Sequence, residues 1–143
     1  MADSSRFQPN TSLDVVGIGN AIVDVLVQTK DGFLSEHGLQ KGGMCLIDEQ
    51  QAEALYTSSG PGLETSGGSV ANTMVGIAQL GGRTGFIGRV RDDQLGSIFS
   101  HDIRAVGTRF ETPSATTGAT TARCLIYVTP DAERTMCTFL GAS

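Results

Sequence analysis

Apolar runs and helical stripes alternate along the middle of this chain, and glycine closes nearly every one of them. LDVVGIG (Leu13 to Gly19) is a continuous apolar run with β-branched residues, the pattern of a buried central strand. IVDVLVQT (Ile22 to Thr29) alternates instead and predicts a strand with Asp24 exposed on one face. FLSEHGL predicts a short helical turn stopped at Gly38, and GGMCLID (Gly42 to Asp48) a third strand. Asp48, with Gln51 three residues on, makes a capping-box pattern; Ala52, Leu55 and Tyr56 form the buried stripe and Gly60 ends it. Val70, Met74, Ile77 and Ala78 fall at helical spacing until Gly81-Gly82 stops them, and RTGFIG (Arg83 to Gly88) is a short strand. Asp92 or Asp93 caps a further helix, with Leu95, Ile98, Phe99, Ile103 and Val106 as its stripe and Gly107 as its stop. TRFE reads as a short strand, and two strands, Thr121 to Thr129 and Thr135 to Leu140, form a hairpin around a Pro-Asp-Ala-Glu turn.

Alternating strands and helices argue for an α/β fold with a mostly parallel sheet. The alternating strand at Ile22 and the late hairpin depart from that pattern and predict a separate small sheet or flap. The sequence stops at Gly141-Ala142-Ser143, straight after a strand. A sheet built only to that point would keep an open edge, so the expectation is a truncated chain.

Composition narrows the function. The chain has 143 residues, enough for one domain, and a net charge of −5 with Lys and Arg scattered, which argues against nucleic acid or an anionic membrane surface as partner. No apolar run approaches the ~18 residues of a membrane span. MADSSRFQPNTS (residues 1–12) has no apolar core, so it is not a secretory signal, and is expected as a disordered lead-in. Cys45, Cys124 and Cys137 are too few and too dispersed for a zinc motif. Their odd number without a signal points to reduced thiols in the cytoplasm, each expected as a small core residue.

Two glycine-rich stretches compete as sites. GIGNAIVD (Gly17 to Asp24) lacks the third glycine of a dinucleotide fingerprint, because Ile22 stands there and opens a strand. No Walker-type phosphate loop occurs. Asn20 and Asp24 instead lie just beyond the first strand, where open α/β sheets bind ligands, and each can bond a sugar hydroxyl. The competing reading makes Asn20 a turn residue and Asp24 a solvated carboxylate. SGGSVANTMVGIAQLGG (Ser66 to Gly82) is the second stretch. Gly67-Gly68 lets a ligand approach the backbone, the helix N-terminus offers free amides, and Asn72 lies in the first turn. The competing reading is a tight turn with Ser69 as N-cap. His37 and His101 are isolated and expected at the surface; Arg123, Cys124 and Tyr127 either line a ligand or are ordinary strand residues.

DVVGIGNAIVD, SGGSVANTMVGIAQLGG and FIGRVRDDQLGSIF together resemble the amino-terminal half of the ribokinase-like (PfkB-type) carbohydrate kinases, the adenosine kinase branch in particular. The resemblance runs from about Leu13 to the chain end, with one departure at Val70, where the family usually has a small residue. It implies part of a doubly wound α/β domain over 13–143 with a β-sheet lid, the lid strands falling near 22–29, 43–47 and 121–140. It implies that Asn20, Asp24, Gly67, Gly68 and Asn72 hold the sugar hydroxyls of a small-molecule sugar or nucleoside, with Ile22, Arg123 and Cys124 as lid contacts. The implied reaction moves the γ-phosphoryl group of ATP, accompanied by Mg²⁺, to a primary hydroxyl. The family's catalytic Asp belongs to a Gly-Ala-Gly-Asp motif that this sequence does not contain, so the chain alone is expected to be inactive, with no catalytic or metal-binding residue of its own. Homodimers through the lid are a further implication. A non-catalytic sugar or nucleoside binding module, and a structural α/β piece pairing through its open edge, are the alternatives.

Overall fold

The computed structural model describes residues 13–143; the expected lead-in over residues 1–12 lies outside the described residues. Seven strands and four helices follow in the order β1 (Val15–Ile18), β2 (Ile22–Gln28), α1 (Asp31–Glu36), β3 (Met44–Leu46), α2 (Glu49–Ser58), β4 (Leu63–Gly67), α3 (Ser69–Gln79), β5 (Thr84–Ile87), α4 (Gln94–Ala105), β6 (Ala122–Val128) and β7 (Arg134–Phe139). They build two sheets. β1 and β5 pair in parallel, and a mixed five-stranded sheet has the order β3-β7-β6-β2-β4. The alternating strand and the late hairpin do leave the parallel sheet, as their periodicity indicates, and form most of the larger one.

Period-two side-chain alternation divides the mixed sheet into two faces. Register places Val23, Val25 and Val27 of β2 beside Arg123, Leu125 and Tyr127 of β6, and Leu125 beside Cys137 of β7. This face is buried and shares one apolar core with Leu34 of α1, Leu55 of α2, Met74 of α3, and Phe99 and Ile103 of α4. The opposite face carries Ile22, Asp24 and Leu26 next to Ala122, Cys124 and Ile126, and next to Gly67, Thr65 and Leu63 of β4. It is the more open face: Met44, Leu46 and Leu63 are all exposed on it.

Helix ends follow their sequence signals. Asp48 and Gln51 form a complete capping box at α2. Asp93 rather than Asp92 caps α4, accepting from Gly96 N–H at 2.8 Å. The same carboxylate accepts from the Thr121 N–H at 2.9 Å and its hydroxyl at 2.6 Å, so one side chain ties the start of α4 to the start of β6. These charge-assisted bonds are stronger than neutral ones.

Three expectations need correction, and one strand, β4, was missed. β1 is not a buried central strand: Gly17 is buried, yet Ile18 is 74% exposed, because within the described residues β1 pairs only with β5. β4 carried no recognisable strand signal, since LETSG has a single large apolar residue, and Leu63 turns outward. TRFE makes only one parallel bridge, Arg109 to Gly85. Cys45 is exposed on the edge strand β3, whereas Cys124 and Cys137 are buried.

Candidate functional site

The chain crosses between the parallel pair and the mixed sheet three times, once through α4, and the other two crossings are neighbours. The first is the short link Gly19 to Ala21 between β1 and β2; the second is Gly67-Gly68 between β4 and α3. They touch: a Cβ on Gly68 would lie 2.7 Å from the Asn20 carbonyl oxygen. Gly68 is also the N-cap of α3 at φ 92°, a conformation glycine adopts freely and L side chains rarely do. The reading of Ser69 as N-cap is therefore corrected: Ser69 is the first helical residue, and no side chain bonds into the cap. The first turn of α3 has the free N–H groups that any helix start leaves, and the Asn72 N–H is bonded to the Gly68 carbonyl at 2.9 Å. The N-termini of α2 and α4, by contrast, are closed by aspartate caps.

Gly67 has a different reason for being glycine. A Cβ there would run into the carboxylate of Asp24. The room made by the missing side chain is thus filled by Asp24, which is half-buried on β2. Burial pushes the Asp24 carboxyl above its ordinary range, and desolvation is the cause. Among the described residues no salt bridge includes Asp24. A half-buried carboxylate with its desolvation uncompensated is an acceptor awaiting donors.

Of the residues singled out from the sequence, Asn20, Asp24, Gly67 and Gly68 meet at this junction. Asn72 sits in the first turn of α3, exposed, and Ile22 shares the sheet face of Asp24. Cys124 lies opposite Asp24 in the β2–β6 register, on the same face, with Thr138 Oγ1 donating to its sulfur at 3.2 Å. Burial, with the Asp24 charge contributing, raises the Cys124 thiol pKa. Arg123 is not brought to the junction, which corrects its pairing with Cys124 as a lid contact. Its neighbouring position on β6 turns it to the helical face, where it donates to Glu53 at 2.8 Å and lies 5.2 Å from the Tyr56 ring centroid. His37 and His101 are exposed.

Sequence reasoning missed the support of the junction. Asp102 of α4 accepts from the Ser66 N–H at 3.0 Å, just before the glycine pair. No local signal marks it, because its partner lies 36 residues away. The Val70 departure has a structural counterpart: a Cβ on Gly17 would come 2.6 Å from Val70 Cγ1, and one on Gly19 would come 2.9 Å from Val70 Cβ. The Gly-x-Gly of β1 thus makes room for a helix side chain rather than for a dinucleotide.

A parallel strand pair joined to a mixed sheet, with a carboxylate and a glycine pair at their junction, is a ribokinase-like α/β architecture. An adenosine kinase from Sinorhizobium meliloti superposes with a TM-score of 0.82 and 53% identity, over 91% of this chain and 40% of that one. A probable sugar kinase from Rhizobium etli CFN 42 gives a TM-score of 0.82 at 49% identity, over 91% and 39% respectively. The chain belongs to the pfkB family of carbohydrate kinases, whose family model matches residues 59–143. Probable fructokinase-4 of Arabidopsis thaliana is 33% identical over 94 residues, which are 64% of this chain and 29% of that relative. The chain therefore spans well under half the length of the relatives it matches.

Among the described residues no helix is long and apolar enough to cross a membrane, and no group of three or more His, Cys, Asp or Glu is placed to hold a metal ion.

Proposed function

We propose that this chain carries the substrate-binding part of an ATP-dependent kinase that phosphorylates a primary hydroxyl of a nucleoside or sugar, adenosine or a ribose-like molecule first. The observation that carries this reading is the half-buried Asp24 carboxylate seated over Gly67 beside the uncapped start of α3. A vicinal diol supplies two O–H donors to such a carboxylate, and Asn72 adds an amide that both donates and accepts. Gly68, at φ 92° against the Asn20 carbonyl, turns β4 into α3 so that the uncapped helix start lies beside the place the sugar would take. The 53% identity to the Sinorhizobium meliloti adenosine kinase supports adenosine over the hexose of the fructokinases.

In this reading the open face of the mixed sheet is a lid, with Ile22 and Cys124 facing the substrate, and lid closure excludes water that would otherwise accept the phosphoryl group. The exposed Met44, Leu46 and Leu63 on that face also give a second copy a place to pair. Catalysis of this kind is mostly positioning and charge stabilisation. Among the described residues no group of three or more His, Cys, Asp or Glu is placed to hold a metal ion, and no step is assigned through Mg²⁺ or the nucleotide. We place the protein in the cytoplasm, in keeping with its odd number of cysteines, three.

Calorimetric titration of this chain with adenosine, ribose and fructose, alongside Asp24→Ala, tests the reading. Loss of two hydrogen bonds to a neutral ligand costs about 2–3 kcal/mol, roughly 30- to 150-fold in affinity. Unchanged affinity in Asp24→Ala removes the site. Substrate-dependent ADP formation is expected only from a protein that also supplies the Gly-Ala-Gly-Asp segment. Tight binding by a protein that never makes ADP, even at full length, moves the reading to a binding module.

A further inference from the structure

Two of the three cysteines stand side by side. Cys45 and Cys137 are direct partners in the parallel register of β3 and β7, and their sulfurs are 3.5 Å apart. Adjacent strands lie about 4.8 Å apart, inside the Cα separation of about 4.4–6.8 Å that a disulfide accepts. One thiol is exposed on the edge strand and the other is buried in the core. Cys124 cannot compete for either partner. Its register partner on β7 is Thr138, one residue on from Cys137 and therefore on the opposite face.

We propose that Cys45 and Cys137 are an oxidisable thiol pair that closes to a reversible disulfide under peroxide, fastening the edge strand β3 to β7. The exposed Cys45 meets the oxidant. Its thiolate attacks one peroxide oxygen, the O–O bond breaks, hydroxide leaves, and Cys45 becomes a sulfenic acid. The Cys137 sulfur then attacks Cys45 Sγ, the S–O bond breaks, and the oxygen departs as water with the Cys137 proton. In sum two thiols and one hydrogen peroxide give one disulfide and two waters. Cys45 is exposed and Cys137 is buried, and burial pushes the Cys137 thiol up, so Cys45 is the partner that meets the oxidant first.

The pair differs from an isolated surface thiol in what oxidation yields. An exposed cysteine without a resolving partner continues to sulfinic acid or joins another molecule. Here the partner is already in the register that the bond needs. β3 is only three residues long and lies at the sheet edge, so the small approach the sulfurs require falls on the part of the sheet with least packing to disturb.

The experiment treats the protein with hydrogen peroxide in modest excess, blocks free thiols, and maps peptides by mass spectrometry. The expected product is a Cys45–Cys137 cross-link within one chain, 2 Da lighter than the reduced pair, reversed by dithiothreitol, and unchanged in Cys124→Ser. Cys45→Ser, at an exposed position, should fold and leave Cys137 reduced. Sulfinic acid on Cys45 with Cys137 intact overturns the proposal. So does a Cys45–Cys45 link between two chains, or a product that includes Cys124. None of these results depends on the kinase reading.

Discussion

Asp24 and Gly67 share one volume: the carboxylate of the first occupies the space where a side chain on the second would begin. Neither residue can be understood alone. Gly67→Ala forces the carboxylate off its perch or shifts β4, and both displace the acceptor. We expect Gly67→Ala to weaken adenosine binding at least tenfold in calorimetry. In the Asp24→Ala background the same change should cost much less stability, a coupling that a double-mutant cycle of urea melts reads directly.

The pH dependence of stability reports on Asp24 separately from any ligand. Its folded carboxyl titrates above the unfolded value, so the folded state binds the proton more tightly. The stability from that proton is fully present below the unfolded carboxylate range and is lost as pH rises through the folded value. Asp24→Asn should therefore raise the urea midpoint at pH 7. That gain should shrink as pH falls toward 3, while ligand affinity at pH 7 drops. A gain that grows with acidity contradicts the assignment.

Arg123 gives the complementary control. It is buried between Glu53 and the Tyr56 ring on the helical face. Arg123→Ala should lower stability by about 3 kcal/mol, through a vacated core position and the loss of the ion pair. Adenosine affinity should stay within twofold, measured where the variant remains folded. A tenfold loss would mean that Arg123 reaches the ligand after all.

Asp93 joins two elements through one carboxylate, accepting from Gly96 N–H and from both donors of Thr121. Asp93→Ala removes a helix cap and leaves the buried Thr121 hydroxyl poorly matched. We expect about 3 kcal/mol of destabilisation, more than the ~1 kcal/mol of an ordinary cap. Thermal melts of Asp93→Ala beside Asp48→Ala, where the α2 cap is local and exposed, compare the two.

What could be read from the chain was what neighbouring residues decide. The capping box at Asp48, the stop at Gly107 and the hairpin turn before Glu133 all depend on contacts a few residues long. β4 escaped because its strand character comes from pairing with β2, not from its own side chains. The burial of LDVVGIG was overestimated because an apolar run records what a strand is able to cover, not which elements reach it. In the site, Asp24 and the glycines were visible as residue types, yet their purpose was not. The glycines suggested a bare surface for a ligand, whereas one accommodates Asp24 and the other the Asn20 carbonyl. Asp102 and the Cys45–Cys137 pair depend on separations of 36 and 92 residues, beyond any local pattern.

Two of the three crossings between the sheets, at Gly19 to Ala21 and at Gly67-Gly68, touch one another through the Asn20 carbonyl. If the mixed sheet swings against the parallel pair, points near the crossings travel least and those at the far edge, around Met44 and Leu46, travel farthest. Asp24, on β2, lies near these crossings, whereas β3 is the far edge strand of the sheet. In such a swing the surroundings of Asp24 would move little while the outer strand moved most.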